Sequence, residues 1–431
     1  MAYERVPSRL LTPASVLLLL VMAAGAAAAL YRFACGLGAA TNLNDTYPWG
    51  LWIGVDVLCG VALAAGGFTT AALVYVFGRE KYHGLARPAV LTGLLGYAFV
   101  GAAILLDIAI PWHIWHPIIY WPRQSVMFEV AWCVMLYLTV LALEFVPVVL
   151  ERFGWARALA LWEKLMPLFG VAVIGLFTGL MSHSLAWAAV ALLAFGALAA
   201  AAPKMTRTRP AVPLLLVTAG VVFSTMHQSS LGSLFLLMPD KLDPLWWTPL
   251  LPVNFFLSAV FVGFAMVIFE ATLSARVFRR PLEREALAGL GRLLAIALGV
   301  YLVVRLGDVA ARGQLGRAFA GGKGGLFLAE ILLGVVLPMV MLAGEGVRRH
   351  AGGLFAAATL AVLGVVFNRL NVALLGMTLE GEETYFPSPL EFLVTLSMIA
   401  AMVFFFSAAV KLFPVFARHE EGAQALSGAG R

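Results

Sequence analysis

The sequence has few charged residues, because Asp, Glu, Lys and Arg together make up 12% of its 431 residues. An average soluble domain has roughly 25%. A chain of this length could not cover a water-exposed surface with so little charge, and 62% of its residues are apolar. This composition excludes a soluble enzyme, a disordered chain and a nucleic-acid-binding protein, and it indicates a polytopic protein of the lipid bilayer. The net charge of +6 is explained by the Lys and Arg that collect in the cytoplasmic loops of membrane proteins.

Cysteine is also scarce, with Cys35, Cys59 and Cys133 far apart in or beside apolar runs. No CxxC pair is present, so we expect no metal site and no iron–sulfur cluster on this chain. We place His183 and His227 at the outer ends of predicted helices. No pair of histidines inside helices is then available, and no haem is expected. Any redox metal would belong to a partner.

Apolar segments long enough to span a membrane, about 20 residues each, occur along the whole chain. We predict an all-α integral membrane protein, a single polytopic helical bundle over residues 1–431 with about 10–12 transmembrane helices. The three segments between 165 and 226 are the shortest and the hardest to assign. The predicted helices are 11–34, 49–77, 88–110, 124–150, 165–181, 185–202, 211–226, 249–274, 286–308, 325–344, 352–373 and 389–414.

Positive charge alternates along the chain. Twenty Lys and Arg lie in the two terminal segments and in every second loop, six lie in the loops between, and three lie inside helices. Because cytoplasmic loops collect Lys and Arg, this pattern predicts that both termini are cytoplasmic and that the number of spans is even.

The irregular polar and aromatic segments all fall on the predicted outer side. A concentration of this kind on one face indicates a functional surface, although an interfacial aromatic belt is the better explanation for any single tryptophan. The run FAGGKGG (319–325) lacks the GK[ST] of a phosphate-binding loop, so we predict a flexible turn. The other segments are 47–52, 113–123, 181–184, 226–233 and 380–387.

Ionisable residues inside a membrane cost roughly 2.5–3.5 kcal/mol each and are functional candidates by default. Asp56 is predicted to lie on the order of 10 Å inside the outer surface, with Glu129 at a similar depth and Asp107 near an outer helix end. Carboxylates combined with imidazoles suit a quinone, because its carbonyl oxygens need hydrogen-bond donors and its reduction takes up two protons. We predict Asp56, Glu129 and His227 as catalytic residues. The predicted quinone contacts are Trp52, Asp56, Asp107, Glu129, His183, His227 and Gln228.

The remaining intramembrane charges have a structural alternative. Arg305 and Asp308 are three residues apart on one helical face and can pair with each other, and Glu330 and Arg369 can pair between helices. Glu144 and Glu270 lie toward the cytoplasmic ends of their helices. They either reach the interface or belong to a proton path, which we predict to include Glu144, Glu270, Arg305 and Asp308.

Several motifs together resemble the NrfD/polysulfide-reductase family of membrane subunits, in particular the HybB-type subunit of periplasmic [NiFe]-hydrogenase-2 complexes. The first motif is PWGLWIGVDVLCGVALAAGGFT (48–69), and STMHQSSLGSL (224–234) is the most specific of the later ones. The similarity runs in order along nearly the whole chain. The other motifs are VFGREKYHGLARPAVL (76–91), ALEFVPVVLERFGW (142–155), VIFEATL (267–273), VVRLGDV (303–309) and TYFPSPLEFL (384–393).

The resemblance implies two bundles of helices, no haem, and a menaquinone or ubiquinone pocket near the periplasmic side of a bacterial inner membrane. It also implies a periplasmic iron–sulfur subunit that exchanges electrons with the catalytic subunits of a [NiFe]-hydrogenase. Asp56, Asp107, Glu129 and His227 fall on its motif positions.

One departure leaves the partner open. Residues 165–226 have room for three spans where the shorter family members have one, so the partner could instead be a sulfur-metabolism or multihaem cytochrome enzyme. A secondary transporter is the alternative from another class, although the sequence has no internal repeat of the kind many transporters show.

Overall fold

The computed structural model describes residues 3–44, 47, 49–122, 124–205, 214–378 and 385–418, and most of them are helical. The long helices are α1 (Pro13–Cys35), α2 (Trp52–Val76), α3 (His83–Asp107), α4 (Val126–Phe153), α5 (Ala156–Ser182), α6 (Leu185–Met205), α7 (Leu214–Leu234), α8 (Leu251–Val277), α9 (Arg284–Ala311), α10 (Gly321–Ala343), α11 (Ala351–Leu375) and α12 (Pro389–Leu412). Short helices are Leu37–Ala40, Glu80–Tyr82, Pro111–His113, His116–Ile119, Phe235–Leu237, Leu315–Phe319 and Glu345–Arg349, and the two strands are β1 (Tyr3–Glu4) and β2 (Phe416–Ala417).

Eleven of these helices are long and apolar enough to cross a membrane, which confirms the predicted all-α membrane fold. A helix lies at the position of each of the twelve predicted segments. The apolar stretch of α6, Leu185–Ala197, is shorter than the others. Because β1 and β2 pair with each other, the chain begins and ends at the same end of the bundle. This arrangement agrees with the even number of spans predicted from the charge pattern if the shorter α6 is counted with the eleven long apolar helices.

We call this end of the bundle the termini end and the opposite end the loop end. At the termini end, the Tyr3 hydroxyl is 2.7 Å from Nδ1 of His83. Arg87 lies over the Tyr3 ring, 3.6 Å from its centroid, and donates to both carboxylate oxygens of Glu151 at 2.7 Å. Burial raises the pKa of Tyr3 to about 12. These contacts bring together loops that the charge pattern assigns to one side.

The long helices form two bundles that share α8. The first contains α2, α3, α4 and α7, and the second contains α9, α10 and α11. Two further pairs, α1 with α12 and α5 with α6, lie at the periphery. Only a small part of α1 is buried, so this pair presents apolar surface to its surroundings.

Two helices extend farthest beyond a predicted end. α5 begins at Ala156 rather than 165, and α7 continues through the polar run at 224–233 to Leu234. The backbone of α7 tolerates this run because its serines bond within the helix: Ser229 donates to the Thr225 carbonyl at 3.1 Å and Ser230 to the Met226 carbonyl at 2.8 Å. His227 therefore lies inside a helix and not at its outer end, which corrects the placement on which the argument against haem was based.

The glycine-rich run at 319–325 is also different from the prediction. It is not a flexible turn, because α10 already begins at Gly321. A side chain at Gly324 would meet the Arg317 carbonyl oxygen at 2.6 Å, so glycine lets α10 start against the preceding short helix. Lys323 donates to the Met377 carbonyl at 2.8 Å, which joins α10 to the end of α11.

Helices α10 and α11 cross at Gly334 and Gly364. A Cβ atom built on Gly334 would lie 2.5 Å from the Gly364 Cα. We expect Gly334→Ala to force the two helices apart at a cost of about 1–3 kcal/mol, which should lower the thermal unfolding midpoint of the detergent-purified protein. The control is Gly307→Ala in α9, where a Cβ meets nothing within 4 Å. This variant should be as stable as the wild type or more so, and equal midpoints for the two variants would contradict the close crossing.

Candidate functional site

The predicted site residues separate into two groups on either side of α2, both in the half of the bundle nearer the loop end. The Asp56 cluster contains Arg32, Trp52, Asp56, Asp107, Glu391 and Thr395. The His227 cluster contains Tyr97, Glu129, His227, Gln228 and Ser230. His183 belongs to neither group, because it lies exposed at the C-terminal end of α5 beside Trp121 and Ser125.

Asp56 lies in a stretch of π-helix, Trp52–Cys59, that forms the start of α2. Its Oδ2 accepts a hydrogen bond of 2.8 Å from the Thr395 hydroxyl of α12. Such π-helical turns are uncommon and occur frequently at functional sites. Asp56 keeps partial exposure while Trp52, one turn earlier, is fully buried. Asp56 thus combines a positioned carboxylate with access from outside the bundle.

Trp52 and Arg32 fix the surroundings of Asp56. The indole nitrogen of Trp52 donates to the Glu391 carbonyl at 3.2 Å. Arg32 of α1 donates to the carbonyls of Leu106 and Ile108 at 2.6 and 2.5 Å. It thereby satisfies carbonyls that a helix C-terminus leaves without partners. Asp107 lies between those two residues, and Arg32 is its cationic neighbour.

Glu391 is a central residue of this cluster that the sequence analysis did not single out. Its Oε2 accepts from the backbone nitrogens of Asn42 and Ser388 at 3.0 and 2.8 Å, and its Oε1 accepts from the Tyr385 hydroxyl. The Tyr385 hydroxyl in turn accepts from the Leu51 nitrogen at 2.8 Å. Burial and the bond to Glu391 raise the pKa of Tyr385. The signal was present, because Ser388 and Glu391 have the spacing of a capping box.

The His227 cluster is enclosed by α2, α3, α4 and α7. Nδ1 of His227 is 3.0 Å from the Tyr97 hydroxyl, and the amide nitrogen of Gln228 donates to the Val61 carbonyl at 2.9 Å. Both side chains are fully buried, yet His227 Nε2 and Gln228 Oε1 have no hydrogen-bond partner among the described residues. Buried polar atoms without partners are rare in proteins and ask for an explanation, such as a ligand or a water molecule.

Glu129 extends this cluster toward the loop end. Ser230 Oγ lies 2.5 Å from Glu129 Oε1, and this contact joins the first turn of α4 to α7. Val61 lies five residues beyond Asp56 on α2, about 8 Å along the axis at the rise of an α-helix. The two clusters are therefore at neighbouring depths, and α2 contacts both of them.

The charges of the second bundle do not pair as predicted. Asp308 bonds Arg312 at 2.9 Å and the Thr248 hydroxyl at 2.7 Å, whereas Arg305 donates to the Leu245 carbonyl. The expected Arg305–Asp308 pair is wrong, because Arg312, which directly follows α9, binds the Asp308 carboxylate instead.

Glu330 and Arg369 are also not paired directly. Glu330 accepts from Trp246, Asn368 and Asn371, each at 2.8 Å. Arg369 donates to the Asn368 side-chain oxygen at 2.7 Å, so one amide lies between the two charges. The fully buried network holds α8, α10 and α11 together.

Glu144 and Glu270 lie in the half of the bundle nearer the termini end. Glu144 of α4 is buried, and a Cβ atom on Gly220 of α7 would lie 3.4 Å from its Oε1. Glu270 of α8 accepts a hydrogen bond from Thr92. It also lines a groove of about 930 Å³ between the N-terminal segment, α8 and α12, whose walls are mainly apolar.

Metal-binding groups of three or more His, Cys, Asp or Glu do not occur in the part of the chain that the structure describes. Of the motif residues, Pro48 and Thr384 lie outside the described residues, as do Arg123 and the segment 380–383. The chemistry of the loop-end half therefore comes from carboxylates, one imidazole, an amide and hydroxyls. Such groups can donate hydrogen bonds to carbonyl oxygens and exchange protons with them.

The polytopic α-helical fold, with polar clusters in its loop-end half, is that of an integral membrane protein. The family model Polysulphide reductase, NrfD matches residues 39–379. The chain is a member of the NrfD family. The match includes the Asp56 and His227 clusters except for Arg32, Glu391 and Thr395.

Relatives of similar length occur in bacteria. A protein of Nitratidesulfovibrio vulgaris is 34% identical over 98% of this chain and 99% of its own length. The probable Ni/Fe-hydrogenase 2 b-type cytochrome subunit of Escherichia coli is 32% identical over 89% of this chain and 87% of its own length. The integral membrane subunit of menaquinone reductase from Nitratidesulfovibrio vulgaris is 26% identical over 91% and 89%.

The contact between Tyr385 and Glu391 can be tested through stability. Tyr385→Phe removes the acceptor of the Leu51 nitrogen and one donor to Glu391, so we expect a loss of about 1–3 kcal/mol. The thermal unfolding midpoint should fall, and proteolysis between residues 42 and 51 should become faster. Tyr120→Phe is the control, because this ring is 60% exposed and its hydroxyl forms no hydrogen bond within the described residues. Indistinguishable behaviour of the two variants would show that the Tyr385 hydroxyl does not hold this segment.

Proposed function

We propose that this chain is the quinone-reactive membrane subunit of a respiratory oxidoreductase complex in the inner membrane of a bacterium. Electrons pass between a periplasmic iron–sulfur subunit and menaquinone or ubiquinone, which is the substrate of this chain. The observation that carries the proposal is the Asp56 cluster, where a partly exposed carboxylate is held by the Thr395 hydroxyl of α12. A relative named as a menaquinone reductase subunit supports the same chemistry.

Asp56 is the proposed proton donor and acceptor for the quinone headgroup. The isoprenoid tail needs access to lipid, and the largely unburied α1 with its partner α12 provides a border with lipid next to Asp56. Trp52 and Asp107 are the proposed neighbours of the headgroup beside Asp56, and Arg32 is the cation next to Asp107. This arrangement lets a proton move at one oxygen atom of Asp56 while Thr395 holds the other.

The His227 cluster is the proposed second proton-handling group. His227 Nε2 and Gln228 Oε1 fit a polar ligand or a water chain, because one can donate or accept and the other accepts. Glu129 is linked through Ser230 to the same helix and lies nearer the loop end. We assign Glu129 and His227 to proton exchange with the outer surface, which two-proton quinone chemistry requires.

The partner enzyme is proposed to dock at the loop end. The segment between α3 and α4 exposes large aromatic side chains there, including Trp112, Trp115 and Tyr120. Aromatic residues are enriched in protein interfaces. The relative named as a probable Ni/Fe-hydrogenase 2 subunit supports a [NiFe]-hydrogenase as the partner. Hydrogen-driven reduction of a quinone analogue by the co-purified complex tests this, and activity with another donor alone would assign a sulfur-metabolism or multihaem partner.

Asp56→Asn tests the quinone site directly. In the purified complex, quinone turnover should fall by about 100-fold or more if a positioned proton donor is removed. Thr395→Val should reduce turnover less, because it removes only the hydrogen bond that orients Asp56. Glu163→Gln, an exposed carboxylate of α5, is the control and should leave turnover unchanged.

Assembly of the complex is checked alongside by subunit composition. If Asp56→Asn and a His227→Gln variant both assemble and turn over at the wild-type rate, the chain is an anchor and the quinone site lies elsewhere. Substrate flux in proteoliposomes without quinone binding would instead support a secondary transporter.

Glu144 and Glu270 are proposed to carry protons from the termini end. Glu144 lies about 14 Å from the termini end of α4 and Glu270 about 10 Å from that of α8 at the helical rise of 1.5 Å per residue. Glu144→Gln and Glu270→Gln should abolish the membrane potential generated per quinone in proteoliposomes while detergent turnover stays within about twofold. Glu163→Gln should preserve both readouts. A full potential in both path variants would show that Glu144 and Glu270 do not carry the protons that generate the potential.

A further inference from the structure

A groove of about 880 Å³ opens at the termini end, far from the proposed quinone site. It lies between the end of α2, the start of α3, the first turns of α9 and the short helix Glu345–Arg349. Its lining includes six cationic side chains against two carboxylates, which leaves a net charge of +4. The cations are Arg79, Lys81, Arg284, Arg292, Arg348 and Arg349, and the carboxylates are Glu285 and Glu345.

Two of these cations are already engaged. Arg349 pairs with Glu345 at 2.6 Å. Arg348 donates to the Leu342 and Ala343 carbonyls and so closes the C-terminal end of α10. These contacts hold the Glu345–Arg349 helix in place as one wall of the groove. Only one cation of the groove, Arg349, is neutralised by a carboxylate in this way.

The other cations have no anionic partner among the described residues. Arg79, Arg284 and Arg292 are exposed and form no side-chain hydrogen bond or ion pair there, and Lys81 lies only over the Tyr82 ring at 4.8 Å. Their mutual repulsion would be relieved by an anion. The case for a bound anion is strongest at Arg292. This residue lies about 12 Å along the axis from the start of α9, on a helix apolar enough to span a membrane.

The apolar surroundings indicate what kind of anion fits. Leu73, Phe77 and Leu293 line the groove beside the cations, and Phe77 is 68% exposed. From there an exposed stripe of Ile296, Val300 and Val303 continues along α9 at helical spacing. A soluble phosphate would use only the cations, whereas a phospholipid would use both the charged groove and the apolar stripe.

We propose that this groove binds the phosphate-bearing headgroup of an anionic phospholipid, with an acyl chain lying along the stripe on α9. Basic pockets between transmembrane helices are known to bind such headgroups. The four unpaired cations provide charge for one or two phosphates. The bound lipid would join α2, α9 and the Glu345–Arg349 helix, and so connect the two bundles at the termini end.

The test compares two triple variants of the full chain, purified in mild detergent with its accompanying subunits. The groove variant is Arg79→Gln, Arg284→Gln and Arg292→Gln. The control variant is Arg157→Gln, Lys164→Gln and Arg418→Gln, which removes the same charge from exposed positions outside the groove. Arg157 and Lys164 occupy the same positions relative to the start of α5 as Arg284 and Arg292 do in α9, to within one residue.

Binding is measured by adding phosphatidylglycerol, cardiolipin or phosphatidylcholine and following the thermal unfolding midpoint, with lipid retention read by native mass spectrometry. We expect the two anionic lipids, but not phosphatidylcholine, to stabilise the wild type and the control variant. The groove variant should need at least tenfold more anionic lipid for half of that shift. Equal responses of the two variants would overturn the proposal.

Two further arms separate the alternatives. Inorganic phosphate that shifts the midpoint as much as phosphatidylglycerol does would show a site for a free anion and contradict the lipid assignment. Binding of an acidic soluble subunit that is lost in the groove variant, without any lipid effect, would make the groove a protein interface and would also contradict it.

Discussion

Lipid offers no hydrogen bonds to a protein, so every polar group placed inside the bundle must find its partner within the protein. The helices satisfy their own backbones, and the side chains follow the same rule. Arg32 donates to carbonyls at the C-terminal end of α3, and Glu391 accepts hydrogen bonds from two backbone nitrogens and a tyrosine hydroxyl. Glu330 accepts from three nitrogen donors. Among the described residues, thirteen buried side-chain polar atoms have no hydrogen-bond partner, and His227 Nε2 and Gln228 Oε1 are the two that lie side by side in sequence in the His227 cluster.

The two ends of the bundle satisfy this constraint in different ways. At the loop end, polar side chains reach into the helices and form clusters around α2, where a π-helical stretch presents Asp56 to α12. At the termini end, arginines stay at the surface and pair with Glu151, with helix carbonyls or with no protein group at all. The first arrangement suits proton chemistry on a small substrate, and the second suits contact with a charged membrane surface.

The second bundle has a different character from the first. Arg305, Asp308, Glu330 and Arg369 are all buried there, and their bonds run mainly to tryptophan, asparagine, serine, threonine and backbone groups. A buried charge is tolerated when such bonds replace its hydration. The NrfD family match over residues 39–379 includes helices of both bundles, so this difference in polar contacts lies within one matched region.

The amino-acid sequence by itself determined the membrane fold, the positions of the helices and the family, because these depend on apolar length, charge alternation and ordered motifs. It also identified Asp56, Glu129 and His227 as unusual residues. Only the tertiary structure decided that α2 separates Asp56 from His227 and that α7 continues as a helix past its serines. It also decided that Arg312 pairs with Asp308 and that Glu391 binds several groups at the loop end. Those outcomes depend on which side chains from distant segments meet, and neither helical spacing nor depth along one helix contains that information.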